Sequence, residues 1–163
     1  MMKKCLAALL LLVLSLTACF ALADEDFTRL NETDIELQLV EGMERKELTE
    51  EDIARGILDR FEDEKSGRII EVRLTDEFGA SLEECFDIAQ KDPKNTEIGN
   101  VTSLNDLNYV AVLSKEDDIL TKYAIMNPEK GKMIQISISP YDYDNRDVWR
   151  PIEMMLYSLR KAK

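Results

Sequence analysis

Alternating hydrophobic and polar positions predict six β-strands in this chain. Residues 34–40 and 68–74 each alternate between apolar and polar side chains, which is typical of a strand with one buried face. Four further β-rich segments follow, at 97–104, 107–113, 119–126 and 132–139. The links between these four segments are short, and consecutive strands joined by short links form an antiparallel meander.

A helical period predicts the first helix. Thr49 precedes three acidic residues and has the character of an N-cap, with an acid at the third helical position. Ile53, Ile57 and Phe61 then recur at helical spacing, so a helix is expected to run to about Phe61. Gly56 weakens this prediction because glycine is a poor helix former.

Two more helices are expected further along the chain. Ser81 followed by Glu84 has the pattern of a capping box and predicts a helix that ends near Lys91. A last helix is predicted from near Asp147 to Arg160, with Pro151 in its first turn, where a missing N–H is tolerated. Its buried stripe would consist of Val148, Ile152, Met155, Leu156 and Leu159.

The predicted elements define a fold class and a single domain. The order is strand, helix, strand, helix, four strands and a final helix. This order predicts an α+β domain over 34–163, in which helices pack on the faces of an antiparallel β-sheet.

The N-terminus has the composition of an export signal. Lysines at positions 3 and 4 precede an apolar run, Leu6–Leu16, which is too short to span a hydrocarbon core of about 30 Å. Leu16, Thr17, Ala18 and Cys19 then resemble the cleavage site of bacterial lipoproteins. The resemblance implies a signal peptide at 1–18, diacylglycerol on the Cys19 sulfur and an acylated new N-terminus.

A second cleavage site overlaps the first and leaves an alternative open. Ala21-Leu22-Ala23 has the small-x-small pattern of an ordinary secreted protein, and cleavage after Ala23 would release the chain. With the lipoprotein site, residues 19–33 become the acylated cysteine and a flexible acidic tether. The protein is then expected in the bacterial cell envelope, anchored to a membrane by lipid and extracytoplasmic.

Composition excludes several classes of function. The chain carries 21 basic and 33 acidic residues, for a net charge of −12, and an acidic surface repels nucleic acid phosphates. No nucleic acid partner is therefore expected. Histidine is absent, which removes Ser-His-Asp triads, Cys-His pairs and histidine-ligated metal sites.

The cysteines do not form a disulfide framework. Cys5 would leave with the signal peptide and Cys19 would be acylated, so Cys85 stands alone. Cys85 falls on the apolar face of the predicted second helix, and neighbouring acids disfavour a thiolate. A buried structural thiol is expected.

The acidic segment before the last helix is a candidate cation site. Asp142, Asp144 and Glu153 match the first, third and twelfth positions of a calcium-binding loop. Arg146 occupies the fifth position, which needs an oxygen ligand, and Asp147 occupies the sixth, which needs glycine. A plain loop that leads into a helix is therefore favoured, and no metal ligand or cofactor is predicted.

Three aromatic residues, Tyr141, Tyr143 and Trp149, lie close together in the same region. They could line a surface for carbohydrate or peptide. Packing in the core or at its rim is the favoured interpretation, because aromatic residues at strand–helix junctions usually complete a core.

The order of blocks over 34–159 resembles the PsbP-like family. The resemblance is carried by "IELQLVEGM", where Val40 replaces the usual proline, and then by "EDIARGILDRF", "GRIIEVRL", "SLEE", "LNDLNYVAV", "YAIMNPEKGKMIQISIS" and "IEMMLYSL". It implies an α/β/α sandwich and a non-enzymatic binding or accessory role with a protein partner, without catalytic residues. A carboxylate-based hydrolase acting on glycan and a lipoprotein that binds a small ligand or metal remain the alternatives.

Overall fold

The computed structural model describes residues 27–127 and 133–162. In this part of the chain the strands are β1 (Phe27–Arg29), β2 (Ile35–Gln38), β3 (Glu44–Arg45), β4 (Ile57–Asp63), β5 (Arg68–Thr75), β6 (Asn95–Thr102), β7 (Asn108–Glu116), β8 (Ile119–Met126), β9 (Met133–Ser139) and β10 (Arg160–Lys161). The helices are α1 (Glu50–Ala54), α2 (Leu82–Lys91) and α3 (Arg146–Tyr157).

The strands form two antiparallel sheets. The larger sheet has the order β3-β4-β5-β9-β8-β7-β6, and the smaller one has the order β1-β2-β10. Strands β6, β7, β8 and β9 are neighbours in sequence order, which confirms the predicted meander. The predicted α+β class with an antiparallel sheet is therefore present.

Both faces of the large sheet are covered. One face, called the main core face here, carries Phe61, Ile70, Ile134, Ile136 and Ile138, which pack with residues of β2 and of α3. The opposite face carries a second cluster in which Cys85 and Ala89 of α2 meet residues of β7, β8 and β9. Because strand side chains alternate between the two faces, buried apolar residues occupy consecutive positions in the central strands.

The predicted first helix is wrong beyond its first turn and a half. Helix α1 begins after the N-cap Thr49, as expected, but ends at Ala54. Gly56 adopts φ +75°, a conformation that stops the helix, and β4 begins at Ile57. Ile57 and Phe61 are four residues apart, a spacing that fits both the helical period and the alternation of a strand. Because this segment pairs with β5, it forms a strand, in which both side chains are buried on the same face.

The folded domain begins earlier than the predicted boundary at residue 34. Phe27–Arg29 pairs with β2, and Leu30 is fully buried in the main core. The predicted tether of 19–33 is therefore wrong for 27–33. A strand of three residues is too short to show a period, which is why the sequence pattern did not reveal it. Residues 19–26 and the signal segment lie outside the described residues.

The C-terminal helix is also shorter than predicted. It ends at Tyr157, and Arg160–Lys161 forms β10, whose partner is β2. Pro151 lies at the sixth position of α3 and not in its first turn. Proline has no N–H to donate to the carbonyl of Asp147, four residues earlier. Because Asp147 is exposed, water can donate that hydrogen bond instead.

No helix among the described residues is long and apolar enough to cross a membrane.

Candidate functional site

The β4–β5 hairpin carries a charged pair at the end of an apolar row. Phe61 and Ile70 are Cα partners across the two strands, and the next inward pair is Asp63 and Arg68. Directly opposed residues point to the same face of a sheet. Asp63 and Arg68 therefore lie on the main core face, where its apolar contacts end.

The Nε atom of Arg68 is buried without a hydrogen-bond partner. Only 7% of the residue is exposed, and no acceptor lies within hydrogen-bonding distance of its Nε atom. Over 27–127 and 133–162 the guanidinium forms no ion pair either. Arg68 therefore places a positive charge at the edge of the core, next to the Asp63 carboxylate, with one buried N–H donor that no acceptor satisfies.

The carboxylate opposite Arg68 is bonded to the hairpin turn. Asp63 Oδ2 accepts a hydrogen bond of 2.7 Å from the Ser66 hydroxyl, and Oδ1 accepts one of 3.0 Å from the N–H of Lys65. The hydrogen bond from Ser66, followed by the one from Lys65, holds the pKa of Asp63 below its usual value. Asp63 thus stays ionised but points its oxygens at the turn.

Arg68 lines a surface cavity of about 530 Å³, called the Arg68 cavity below. Three segments form its walls: the end of β2 with the following turn, the β4–β5 hairpin, and the outer face of α3. Its lining residues are Gln38, Leu39, Val40, Glu41, Asp63, Ser66, Arg68, Asp147, Pro151, Met154 and Met155.

The turn that follows β2 closes the cavity on one side. Gly42 adopts φ +87°, which other residues rarely adopt, and a Cβ at this position would lie 3.7 Å from the Asp63 carboxylate. The N–H of Met43 donates to the carbonyl of Val40, which fixes the turn. The turn at Glu41, Gly42 and Met43 therefore positions the acidic and apolar wall of the cavity.

An exposed apolar row continues from the cavity along α3. Met154 lines the cavity and is 53% exposed, and Tyr157 follows one turn later on the same side of the helix. The N–H of Leu104 donates to the Tyr157 carbonyl, and Leu104 is 75% exposed. Several exposed apolar residues near one cavity are typical of an interaction surface.

A second charged cluster lies on the other face of the sheet, but its charges are paired. Arg60 contacts Asp52 and Glu71 at 3.1 Å each and Glu62 at 2.7 Å, while Arg55 contacts Glu71 at 3.0 Å. Asp52, Arg55, Arg60 and Glu62 also border a shallow cavity of about 460 Å³. Because each carboxylate faces a guanidinium, the cluster holds α1 against β4 and β5.

Asp52 in this cluster is buried, unlike the other two acids at the start of α1. Its Oδ2 accepts hydrogen bonds from the hydroxyl of Thr49 at 2.7 Å and from the Thr49 N–H at 3.0 Å. These bonds lower the pKa of Asp52. Glu50 and Glu51 are exposed.

The candidate calcium ligands do not come together. Asp142 Oδ1 accepts hydrogen bonds from the N–H groups of Asp144 and Asn145, while Glu153 accepts from the Tyr141 hydroxyl at 2.8 Å and pairs with Lys122 at 3.0 Å. No group of three carboxylates or thiols within the described residues could hold a metal ion. The acids instead shape the loop before α3.

The three neighbouring aromatic residues also separate. Tyr141 is buried, and burial together with its hydrogen bond to Glu153 raises the pKa of its hydroxyl. Trp149 packs against the main core, whereas Tyr143 is 52% exposed. The predicted core or rim packing is correct for Tyr141 and Trp149.

The cysteine prediction is correct for Cys85. The residue is fully buried, and burial raises the pKa of its thiol to about 11. Leu16, Thr17, Ala18 and Cys19, the predicted acylation site, lie outside the described residues.

Sequence reasoning did not identify Arg68 as a candidate. Its signal is nevertheless present, because Arg68 occupies an inward position two residues before Ile70 in an alternating segment. A charged residue at an inward position of a strand requires a partner or a ligand.

Comparison with known proteins identifies no family. No family model matches the chain, and no curated protein matches it. Among solved structures it is similar to a protein from Bacteroides thetaiotaomicron, with 8% sequence identity and a TM-score of 0.47. The similarity covers 80% of this chain and 46% of that one, so the chain spans less than half the length of that protein.

Proposed function

We propose that this protein is a lipid-anchored, extracytoplasmic module that binds a protein partner without catalysis. The observation that carries the proposal is the Arg68 cavity, with the buried and unsatisfied Nε–H of Arg68, next to the apolar row of Met154, Tyr157 and Leu104. A charged group in a concave site beside exposed apolar side chains fits recognition of a partner.

The carboxylates favour binding over hydrolysis. A carboxylate-based glycan hydrolase needs one carboxyl with a raised pKa as its acid and a second carboxylate across the substrate. Around Arg60 the acids are ion-paired, and hydrogen bonds lower the pKa of Asp52. These groups are suited to holding the fold together, whereas Arg68 is free to contact a ligand.

The proposed anchor would hold this surface close to a membrane. Acylation of Cys19 leaves eight residues, Cys19–Asp26, before β1, and eight extended residues span at most about 28 Å. Phe27, the first residue of β1, is the Cα partner of Gln38, which lines the Arg68 cavity. The tether would thus leave the domain beside the cavity, and a partner bound there would lie near the lipid surface.

The finer fold assignment belongs to the same proposal. The sequence blocks resemble the PsbP-like family, and α2 and α3 pack on opposite faces of the large sheet. This layering supports the PsbP-like α/β/α sandwich, with β1, β2 and β10 as an additional small sheet beside α3.

Site-specific photo-crosslinking on intact cells of the source bacterium tests the partner proposal. A crosslinker at Leu104 should yield a discrete adduct that is lost when Arg68 is changed to Met. The control position is Ile119, which is similarly apolar and 53% exposed but lies at the β7–β8 hairpin. Equal adducts at both positions, or none at Leu104, would overturn the proposal.

Metabolic labelling with a fatty acid and intact-mass measurement test the anchor. The wild-type chain should carry label and the mass of diacylglycerol, and Cys19→Ala should carry neither. An unlabelled wild-type chain whose mass corresponds to cleavage after Ala23 would instead establish the secreted alternative.

A further inference from the structure

The environment of Arg68 restricts what the Arg68 cavity can bind. Burying a charge without full hydrogen bonding is costly, so such a charge is usually paired with a bound group of opposite charge. The guanidinium presents its donors as a planar fork that matches carboxylate and phosphate. The missing partner is therefore an anion.

The acids around the cavity select among anions. Asp63 lies directly across the hairpin from Arg68, and Glu41 and Asp147 also line the cavity. A phosphate group with nearly two negative charges would face three carboxylates and one arginine, whereas a carboxylate adds a single charge. The same acids favour a positively charged group elsewhere on the ligand.

The remaining walls and the size of the cavity define the rest of the ligand. Leu39, Val40 and Met154 provide apolar contacts near Arg68. A volume of about 530 Å³ is in the range of sites that hold drug-sized ligands, and the apolar row on α3 extends the surface further. A single amino acid would leave much of this surface uncovered.

From these features we infer that the Arg68 cavity binds the C-terminal carboxylate of a peptide segment of the partner. The last residue of that segment is apolar and packs against Leu39, Val40 and Met154, and a basic residue upstream faces Glu41 and Asp147. This inference rests on the proposed function and names the chemistry that the partner presents.

Two tetrapeptides test the inference by calorimetric titration of the full acylated chain in detergent. The probe is Lys-Lys-Ala-Leu with a free carboxylate, and its control is the same peptide with a C-terminal amide. A hydrogen-bonded charge pair in a buried site is expected to make the free acid bind about tenfold or more tightly. Free leucine is the third probe and should bind more weakly than the peptide acid.

Substitutions at two arginines of the same strand test which residue recognises the carboxylate. Arg68→Met should abolish the difference between acid and amide, and Arg68→Lys should reduce it, because lysine lacks the planar fork. Arg73→Met is the matched control: Arg73 lies on the other face, where it bonds Gln135 and Glu77, and its loss should leave the difference unchanged. Thermal unfolding of each variant establishes that it is folded.

The acidic rim has its own test. Asp147→Asn should weaken Lys-Lys-Ala-Leu but leave Ala-Ala-Ala-Leu unchanged, because only the first peptide carries the basic side chains that the rim would attract. Tighter binding of Ala-Ala-Ala-Leu than of Lys-Lys-Ala-Leu would overturn the role of the rim.

Further outcomes would overturn the inference, and the Leu104 crosslink then decides whether the proposed function also fails. Equal affinity for acid and amide, no binding of either, or discrimination that survives Arg68→Met would refute carboxylate recognition. Free leucine that binds as tightly as the peptide would assign the cavity to a small ligand. If the Leu104 crosslink to a partner persists in these cases, the inference fails alone; if it is absent, the proposed function fails with it.

Discussion

Asp63 and Arg68 are direct cross-strand neighbours of opposite charge, yet they form no ion pair, because Ser66 and Lys65 hold the Asp63 oxygens. Asp59, on the same face of β4, shows the usual alternative. Its carboxylate is almost fully buried but accepts hydrogen bonds from the N–H of Asn31 and from Arg45, both at 3.0 Å. One buried charge on this face is thus satisfied by the fold and the other is not, which distinguishes a structural residue from a binding residue.

Replacing Arg68 by Met is expected to stabilise the free protein. The substitution removes a buried charge that has no direct ion pair and an unsatisfied Nε–H, and it keeps most of the apolar side chain. The free energy of unfolding should therefore rise by about 1 kcal/mol, or roughly 3 °C in Tm. Thermal unfolding followed by circular dichroism measures the change.

The control for this prediction is Arg60→Met, which leaves Asp52, Glu62 and Glu71 without their common partner. Its Tm should fall by several degrees. A fall of similar size for Arg68→Met would mean that Arg68 has a structural partner and would contradict its role as an open binding group.

Gly56 should be intolerant of a side chain even though space is available. A Cβ at Gly56 would meet nothing within 4 Å, but φ is +75°, and this conformation costs other residues about 1 kcal/mol. Gly56→Ala is therefore expected to lower the free energy of unfolding by about that amount. Urea denaturation provides the measurement.

Gly99 in β6 provides the matched control for Gly56. It also has nothing within 4 Å of an added Cβ, but its φ is not in the left-handed region. Gly99→Ala should therefore be neutral or slightly stabilising. Equal destabilisation by both substitutions would show that backbone conformation is not the cause.

The capping box of α1 should make stability depend on acid pH. The pKa of Asp52 is lowered in the folded state, so its contribution is present above the unfolded pKa, near 3.8, and is lost as the pH falls through the folded pKa. Thr49→Ala removes the hydrogen bonds of the Thr49 hydroxyl and should lower Tm by a few degrees at pH 7. The difference between wild type and variant should shrink near pH 2.

Thr102→Ala is the control for this pH dependence. The Thr102 hydroxyl bonds Asn108, and both side chains are uncharged, so any change in Tm should be the same at pH 7 and pH 2. A wild-type advantage over Thr49→Ala that also stays constant with pH would count against the role of Asp52.

Thiol counting with an aromatic disulfide reagent at pH 8 tests Cys85 and the anchor together. Burial raises the pKa of Cys85 to about 11, so in the native chain this thiol should react very slowly. If Cys19 is acylated, the mature native protein has no fast-reacting thiol, and one appears after denaturation. That thiol should be missing in Cys85→Ala, and a fast thiol in the native wild type would contradict acylation of Cys19.

The success of the sequence predictions depended on how many residues a pattern spans. The meander from β6 to β9 and helix α2 were predicted because each element is long enough to show its period. The segment 53–61 was predicted as a helix because Ile53, Ile57 and Phe61 fit a spacing of four, which also satisfies alternation. Three-residue β1 and two-residue β10 show no period and exist only through their pairing with β2.

By itself the sequence determined the α+β class, the antiparallel meander, the burial of Cys85 and the expectation of an acylated Cys19. These follow from local periodicity and from short motifs, which neighbouring residues encode. Only the tertiary structure decided that Phe27–Leu30 belongs to the domain and that the Nε atom of Arg68 is buried beside a cavity without a hydrogen-bond partner. Such features depend on which distant segments meet, because the burial and pairing of a charge are set by β2, the β4–β5 hairpin and α3 together.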